Sequence, residues 1–163
     1  MRRMAQSVSI DIEHGSTVVL GEGAERELAR LQPSPPRNSR PPVPLPRDVV
    51  VFSIDGPFFF GAAEKLEHTL RRSQNRVRTV VLRMDRMPFI DSTGLTALAE
   101  IVAEFGASGT AVVFCELRAN VHAKLERAGV LAAAGPGSVV ANLEEFAARI
   151  EAGVPPAGPN PSP

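Results

Sequence analysis

The sequence predicts an α/β domain with one layered core and a largely parallel sheet. Short apolar runs at Val49–Ile54, Thr79–Met84 and Thr110–Cys115 have strand length and are rich in β-branched residues. Between them the spacing turns helical, most clearly at Leu95, Leu98, Ala99, Val102 and Phe105. Strands alternating with helices imply βαβ units joined by right-handed crossovers. The helices are few and the C-terminal ones short, so they are expected mainly on one face. The other face is left to solvent, an N-terminal strand or a partner.

The elements follow in order along the chain. Residues 1–48 read as an N-terminal arm and linker. Val8, Ile10 and Ile12 alternate, His14-Gly15 signals a turn and Val18-Val19-Leu20 follows, which suits a hairpin or a single strand with an irregular partner. A short helix is expected over Ala24–Leu31. Pro33, Pro35, Pro36, Pro41, Pro42, Pro44 and Pro46 then block both helix and central strand, leaving an extended spacer in preference to a proline-recognition ligand.

The regular domain is expected over 49–152. It runs from the strand Val49–Ile54 to a helix over Ala62–Ser73 with Ala63, Leu66 and Leu70 inward, then to the strand Thr79–Met84. The Asp91-Ser92 helix and the strand Thr110–Cys115 come next. A helix over Ala119–Ala128 with Val121, Leu125 and Ala128 inward, a weak strand near Ser138–Val140 and a last helix at Leu143–Ile150 complete it. Gly129, Gly135 and Gly137 punctuate the final joins. Residues 153–163 offer little apolar surface and are expected to be a disordered tail.

Composition narrows the function. A chain of 163 residues, 44% hydrophobic, holds one cored domain with accessory segments. Lysine plus arginine equals aspartate plus glutamate at 18 each, and no basic tract occurs, so nucleic acid is a poor partner. Cys115 stands alone at the end of an apolar run, which rules out an intrachain disulfide and fits a small core residue. No apolar run reaches the roughly 20 residues of a membrane helix, and Met1-Arg2-Arg3-Met4 leads into polar Gln6 and Ser7, unlike a signal peptide. The chain is therefore expected to be soluble, without direct insertion into a membrane.

Sites for chemistry are few. His14, His68 and His122 fall in separate elements with no second ligand at helical spacing, so no metal site is expected. Gly21 and Gly23 precede no lysine-serine pair, and no phosphate loop is read. Ser92 lacks the preceding glycine of a nucleophile elbow and no histidine is assignable as its base, so no catalytic residue and no enzyme activity are expected.

Two segments stand out instead. Asp91, Ser92, Thr93 and Gly94 lie between a buried strand and a helix, where free N–H groups and the helix dipole favour a side-chain oxygen or an anion. One reading is a partner or anion face with Ser92 as phospho-acceptor; the other is a simple cap, with Gly94 allowing close packing. The second segment, Asp55, Gly56, Pro57, Phe58, Phe59 and Phe60, cannot bury three successive phenylalanines in one core. It is expected to be a docking surface, or to be covered by the N-terminal arm.

Taken together these residues resemble a STAS domain, the module shared by bacterial anti-sigma-factor antagonists and the C-terminal part of SulP-type sulfate and anion transporters. The resemblance spans about Val49 to Ala152. Phe89-Ile90-Asp91-Ser92-Thr93-Gly94-Leu95 is similar to both branches. Ile54 to Lys65, Leu82-Arg83-Met84 with Met87 to Asp91, and Leu125 to Gly129 look like the transporter branch, and Met1 to Ala5 looks like the link leaving its last membrane helix.

The resemblance implies a sheet of four to five strands, a non-catalytic regulatory or assembly role, and a place on the cytoplasmic side of the membrane. The partners it implies are the transmembrane part of an anion transporter, a regulatory protein or a second copy of the chain. It implies no obligatory cofactor, although nucleotide binding has been proposed for the family. In the antagonist branch the serine at this position is phosphorylated by a partner kinase, so the alternative is a partner switch controlled at Ser92.

Overall fold

Residues 9–13, 43–58, 63–64, 66–68, 71, 77–154 and 156 are described by a computed structural model. Five strands form one sheet in the order β1-β2-β3-β4-β5. They are β1 (Ser9–Glu13), β2 (Val49–Asp55), β3 (Thr79–Arg86), β4 (Ala111–Cys115) and β5 (Val139–Val140). The strands β2 to β5 run parallel, and β1 joins β2 antiparallel at the edge, Ser9 opposite Asp55 and Glu13 opposite Val51. The expected α/β class with a mixed, largely parallel sheet is what forms.

Successive strand residues point to opposite faces, so a central strand in a parallel sheet must be apolar on both. This is why β4 is buried along its whole length. On the first face Val50, Phe52, Ile54, Val80, Leu82, Met84, Val112 and Phe114 meet the helices α1 (Ser92–Ala107), α2 (Ala119–Arg127) and α3 (Val130–Ala134). Ala63 and Leu66, both in helical conformation, also lie in this core; Leu70 falls outside the described residues. On the second face Val49, Val51, Val81, Val113, Cys115 and Val140 are covered by Leu143 and Phe146 of α4 (Leu143–Glu151), with Val43, Leu45 and Ile150 alongside.

The helices lie mainly on the first face, as expected; the second layer corrects what was expected of the other face and of the linker. The far face is occupied by α4, whose apolar residues recur at the spacing of one helix face, and the end of the proline-rich stretch is not a detached spacer there. Its apolar Val43 and Leu45 pack on the sheet while Pro44 and Pro46 stay exposed. Ala128 is also exposed, not inward, because α2 ends at Arg127 and the chain turns through Gly129 at φ 74°. Val130 of α3 takes the buried position instead. The segments Val18–Leu20 and Ala24–Leu31, the prolines from Pro33 to Pro42, and the phenylalanines Phe59 and Phe60 lie outside the described residues, as does the C-terminal tail apart from residues 153, 154 and 156. No described helix is long and apolar enough to cross a membrane.

Candidate functional site

Parallel strands deliver their following loops to one end of the sheet, and the two segments singled out in the sequence meet there. After β2 the chain passes through Gly56, at φ 108°, whose N–H donates to the Arg86 carbonyl at 3.1 Å. Arg86 also pairs with Asp55 at 3.4 Å. Beyond β3, Phe58 and Ile90 form an isolated parallel bridge. The Phe58 N–H donates to Phe89 at 3.1 Å, and the Asp91 N–H points at the Phe58 carbonyl at 3.5 Å. The loop into α1 is thus hung on an extension of β2.

Phe58 itself is fully buried. This corrects the reading of the 55–60 segment as a docking surface at that residue: its ring belongs to the core beneath α1, and Pro57 is buried with it. Asp55 and Gly56 are half-buried, while Phe59 and Phe60 lie outside the described residues. Among the described residues the exposed aromatic at this end is Phe89, 39% exposed, next to exposed Pro88.

Asp91 is the N-cap of α1. Its Oδ1 accepts from the Gly94 N–H at 2.7 Å and from the Thr93 hydroxyl at 2.8 Å. These bonds satisfy an otherwise orphaned helix donor, and they favour the ionised carboxylate. The Gly94 bond, the Thr93 hydroxyl and the nearby Lys124 ammonium all hold the Asp91 pKa below its ordinary value. Ser92 and Thr93 remain exposed on the first turn, whereas Gly94 is buried. A Cβ at Gly94 would overlap the Phe58 carbonyl oxygen and come within 3.0 Å of the Phe58 ring and 3.1 Å of Ile90. The four residues therefore divide their work. Asp91 caps, Gly94 permits the close approach, and Ser92 with Thr93 forms the outward face.

Three side chains that the sequence did not single out hold the other side of this loop. Arg118 Nε donates to the Asp85 carbonyl at 2.9 Å, Asn120 Nδ2 to Pro88 at 2.8 Å and Lys124 Nζ to Ile90 at 2.8 Å. Asn120 and Lys124 each directly precede a buried residue of α2, Val121 or Leu125. Polar residues at that i, i+4 spacing beside an apolar stripe were the available signal. Among the described residues no group of histidine, cysteine, aspartate or glutamate is arranged to hold a metal. Cys115 is buried, and desolvation pushes its thiol pKa up to about 12, which makes it inert in the folded chain.

The profile described as STAS domain matches residues 40–145. The chain belongs to the STAS domain family. A sulfate transporter family protein from Wolinella succinogenes is 31% identical to this STAS domain, with a TM-score of 0.62 over 74% of this chain and 97% of that one. The STAS domain of a SulP transporter from Vibrio cholerae is also 31% identical, at TM-score 0.60 over 68% and 87%. The unphosphorylated anti-sigma factor antagonist SpoIIAA shares the fold at 20% identity, TM-score 0.52, over 67% and 94%. No curated protein sequence matches the chain.

Proposed function

We propose that this STAS domain is a non-catalytic regulatory and interaction domain of a SulP-type sulfate or anion transporter, working on the cytoplasmic side of the membrane. Its docking face is the exposed first turn of α1 with Ser92 and Thr93, next to Pro88 and Phe89. The observation that carries the non-catalytic role is the arrangement at Asp91. An ionised carboxylate whose Oδ1 already accepts from Gly94 and Thr93 is a helix cap, poorly suited to take up or give a proton near neutral pH. Around it Ser92, Thr93, Pro88 and Phe89 are left exposed. The transporter context is supported by the 31% identity to the Wolinella and Vibrio domains, compared with a likeness of fold alone to the antagonist. The domain acts without a bound cofactor, and a nucleotide is carried over only as a suggestion of the family.

The second reading is a partner switch governed by phosphorylation of Ser92. It is favoured by one observation: Ser92 is exposed at the first position of α1, where the positive end of the helix dipole favours a phosphate. A photo-crosslinker at Thr93, used in cells, separates the two. Attachment to a polytopic membrane protein whose anion uptake changes with Ser92→Arg and Thr93→Arg supports the transporter reading. Attachment to a soluble serine kinase, with phosphate on Ser92 by intact mass, supports the switch. Attachment to neither overturns both.

A further inference from the structure

We propose that α2 is a clamp that fixes the position of the docking loop, with Lys124, Asn120 and Arg118 as its positioning residues. The inference rests on the reading of that loop as the docking face. Asn120 and Lys124 of α2 donate to the loop carbonyls of Pro88 and Ile90, and Arg118, the N-cap of α2, donates to the carbonyl of Asp85 at the end of β3, where the loop begins. A bond to a carbonyl constrains the path of the chain itself, whereas a bond to a side chain constrains only a rotamer. The segment is therefore held from both flanks, by the Phe58 backbone on one and by α2 on the other.

The base of the clamp is rigid because Val121 and Leu125 anchor α2 in the first core. Its jaws are open to solvent, since Arg118, Asn120 and Lys124 are exposed. The acceptors are neutral carbonyls, and bonds from a cation to an anionic acceptor are stronger. An acidic partner that engages α2 would compete for Lys124 and Arg118 and so loosen the loop. By linkage, a partner seated on the loop would stabilise α2. Lys124 has a second effect, because its ammonium favours the ionised Asp91 cap of the adjacent helix.

The test uses the full chain carrying Lys124→Met, Asn120→Ala and Arg118→Met. Amide exchange at Asp91, Gly94 and Leu95 is expected to quicken about fivefold, with Val80–Leu82 and Val112–Phe114 unchanged. Lys124→Arg restores slow exchange. The Asp91 carboxyl, followed by NMR titration, shifts upward in Lys124→Met but not in Asn120→Ala, which a purely structural role would not produce. Unchanged loop exchange, or equal acceleration throughout the sheet, overturns the clamp. Ser92→Arg alone removes neither a clamp bond nor the Asp91–Thr93 bond, so loss of partner binding in that variant tests the docking reading separately.

Discussion

At the scale of single residues, Gly94 is the least replaceable position of the site. Its φ is not the reason; the obstacle is the main chain of Phe58, against which a Cβ would collide, and backbone cannot rotate away. Gly94→Ala is expected to lower unfolding free energy by at least about 1–3 kcal/mol, measured by urea denaturation, through overpacking at a site that cannot relax. Asp91 acts by charge and by geometry, which substitutions can separate. Asp91→Ala loses the cap and costs about 0.5–2 kcal/mol, while Asp91→Asn keeps most of it. The native carboxyl has a lowered folded pKa, so its stabilisation is full above the ordinary aspartate value of about 3.9 and is lost as pH falls through the folded value. The stability gap between wild type and Asp91→Asn should therefore be constant from pH 5 to 7 and shrink below pH 4, as read by denaturation at each pH. Asp91, Ser92 and Gly94 could be picked out in the sequence because capping and close packing are local. Arg118, Asn120 and Lys124 could not, because their acceptors lie 32 to 34 residues away and any main-chain carbonyl would serve.

At the scale of elements, β2, β3, β4 and α1 were legible because each is long and strongly patterned. Among the short ones β5 was read as a weak strand near Ser138–Val140, but α3 was not read at all. α3, of five residues, gives no helical period to read, and it forms because Gly129 reverses the chain and Val130 and Ala134 find the core. The face chosen by α4 was equally hidden: an amphipathic helix records which of its sides is buried, but not which side of a sheet receives it. Its seat over the second face has a measurable consequence. Phe146 is 2% exposed and packs in the same cluster as Cys115. Phe146→Ala is expected to cost about 3–5 kcal/mol of stability. In the native state Cys115 should resist thiol reagents, being both covered and held as the neutral thiol. Phe146→Ala should accelerate its labelling, while an equally destabilising change on the opposite face should accelerate it only as far as global unfolding does. Equal rates in the two variants at matched stability would mean that α4 is not what covers the second face.

For the whole molecule, the significant fact is that the sheet extends beyond the stretch by which its family is recognised. The match begins at residue 40, yet β1, at Ser9–Glu13, pairs with all of Val51–Asp55. In the sequence this strand looked like part of an arm, since its partner lies some forty residues further on and only the alternation at Val8, Ile10 and Ile12 hinted at it. A parallel core strand such as β2 carries a full row of N–H and C=O groups on each side, and β3 satisfies only one row. β1 satisfies the other and turns what would be a long apolar edge into an interior strand. Removal of residues 1–14 should therefore do two things. It should reduce unfolding free energy by roughly 2–4 kcal/mol, from several net hydrogen-bond contributions, and it should leave β2 able to pair with another chain. The expected readouts are a lower urea midpoint and concentration-dependent self-association by light scattering. Pro substituted at Val51, whose N–H position lies in the β2 ladder, is no remedy, because Val51 is fully buried between β1 and β3. A truncated chain that stays monomeric with an unchanged midpoint would show that β2 tolerates an open edge, and that the domain recognised from residue 40 onward is already whole.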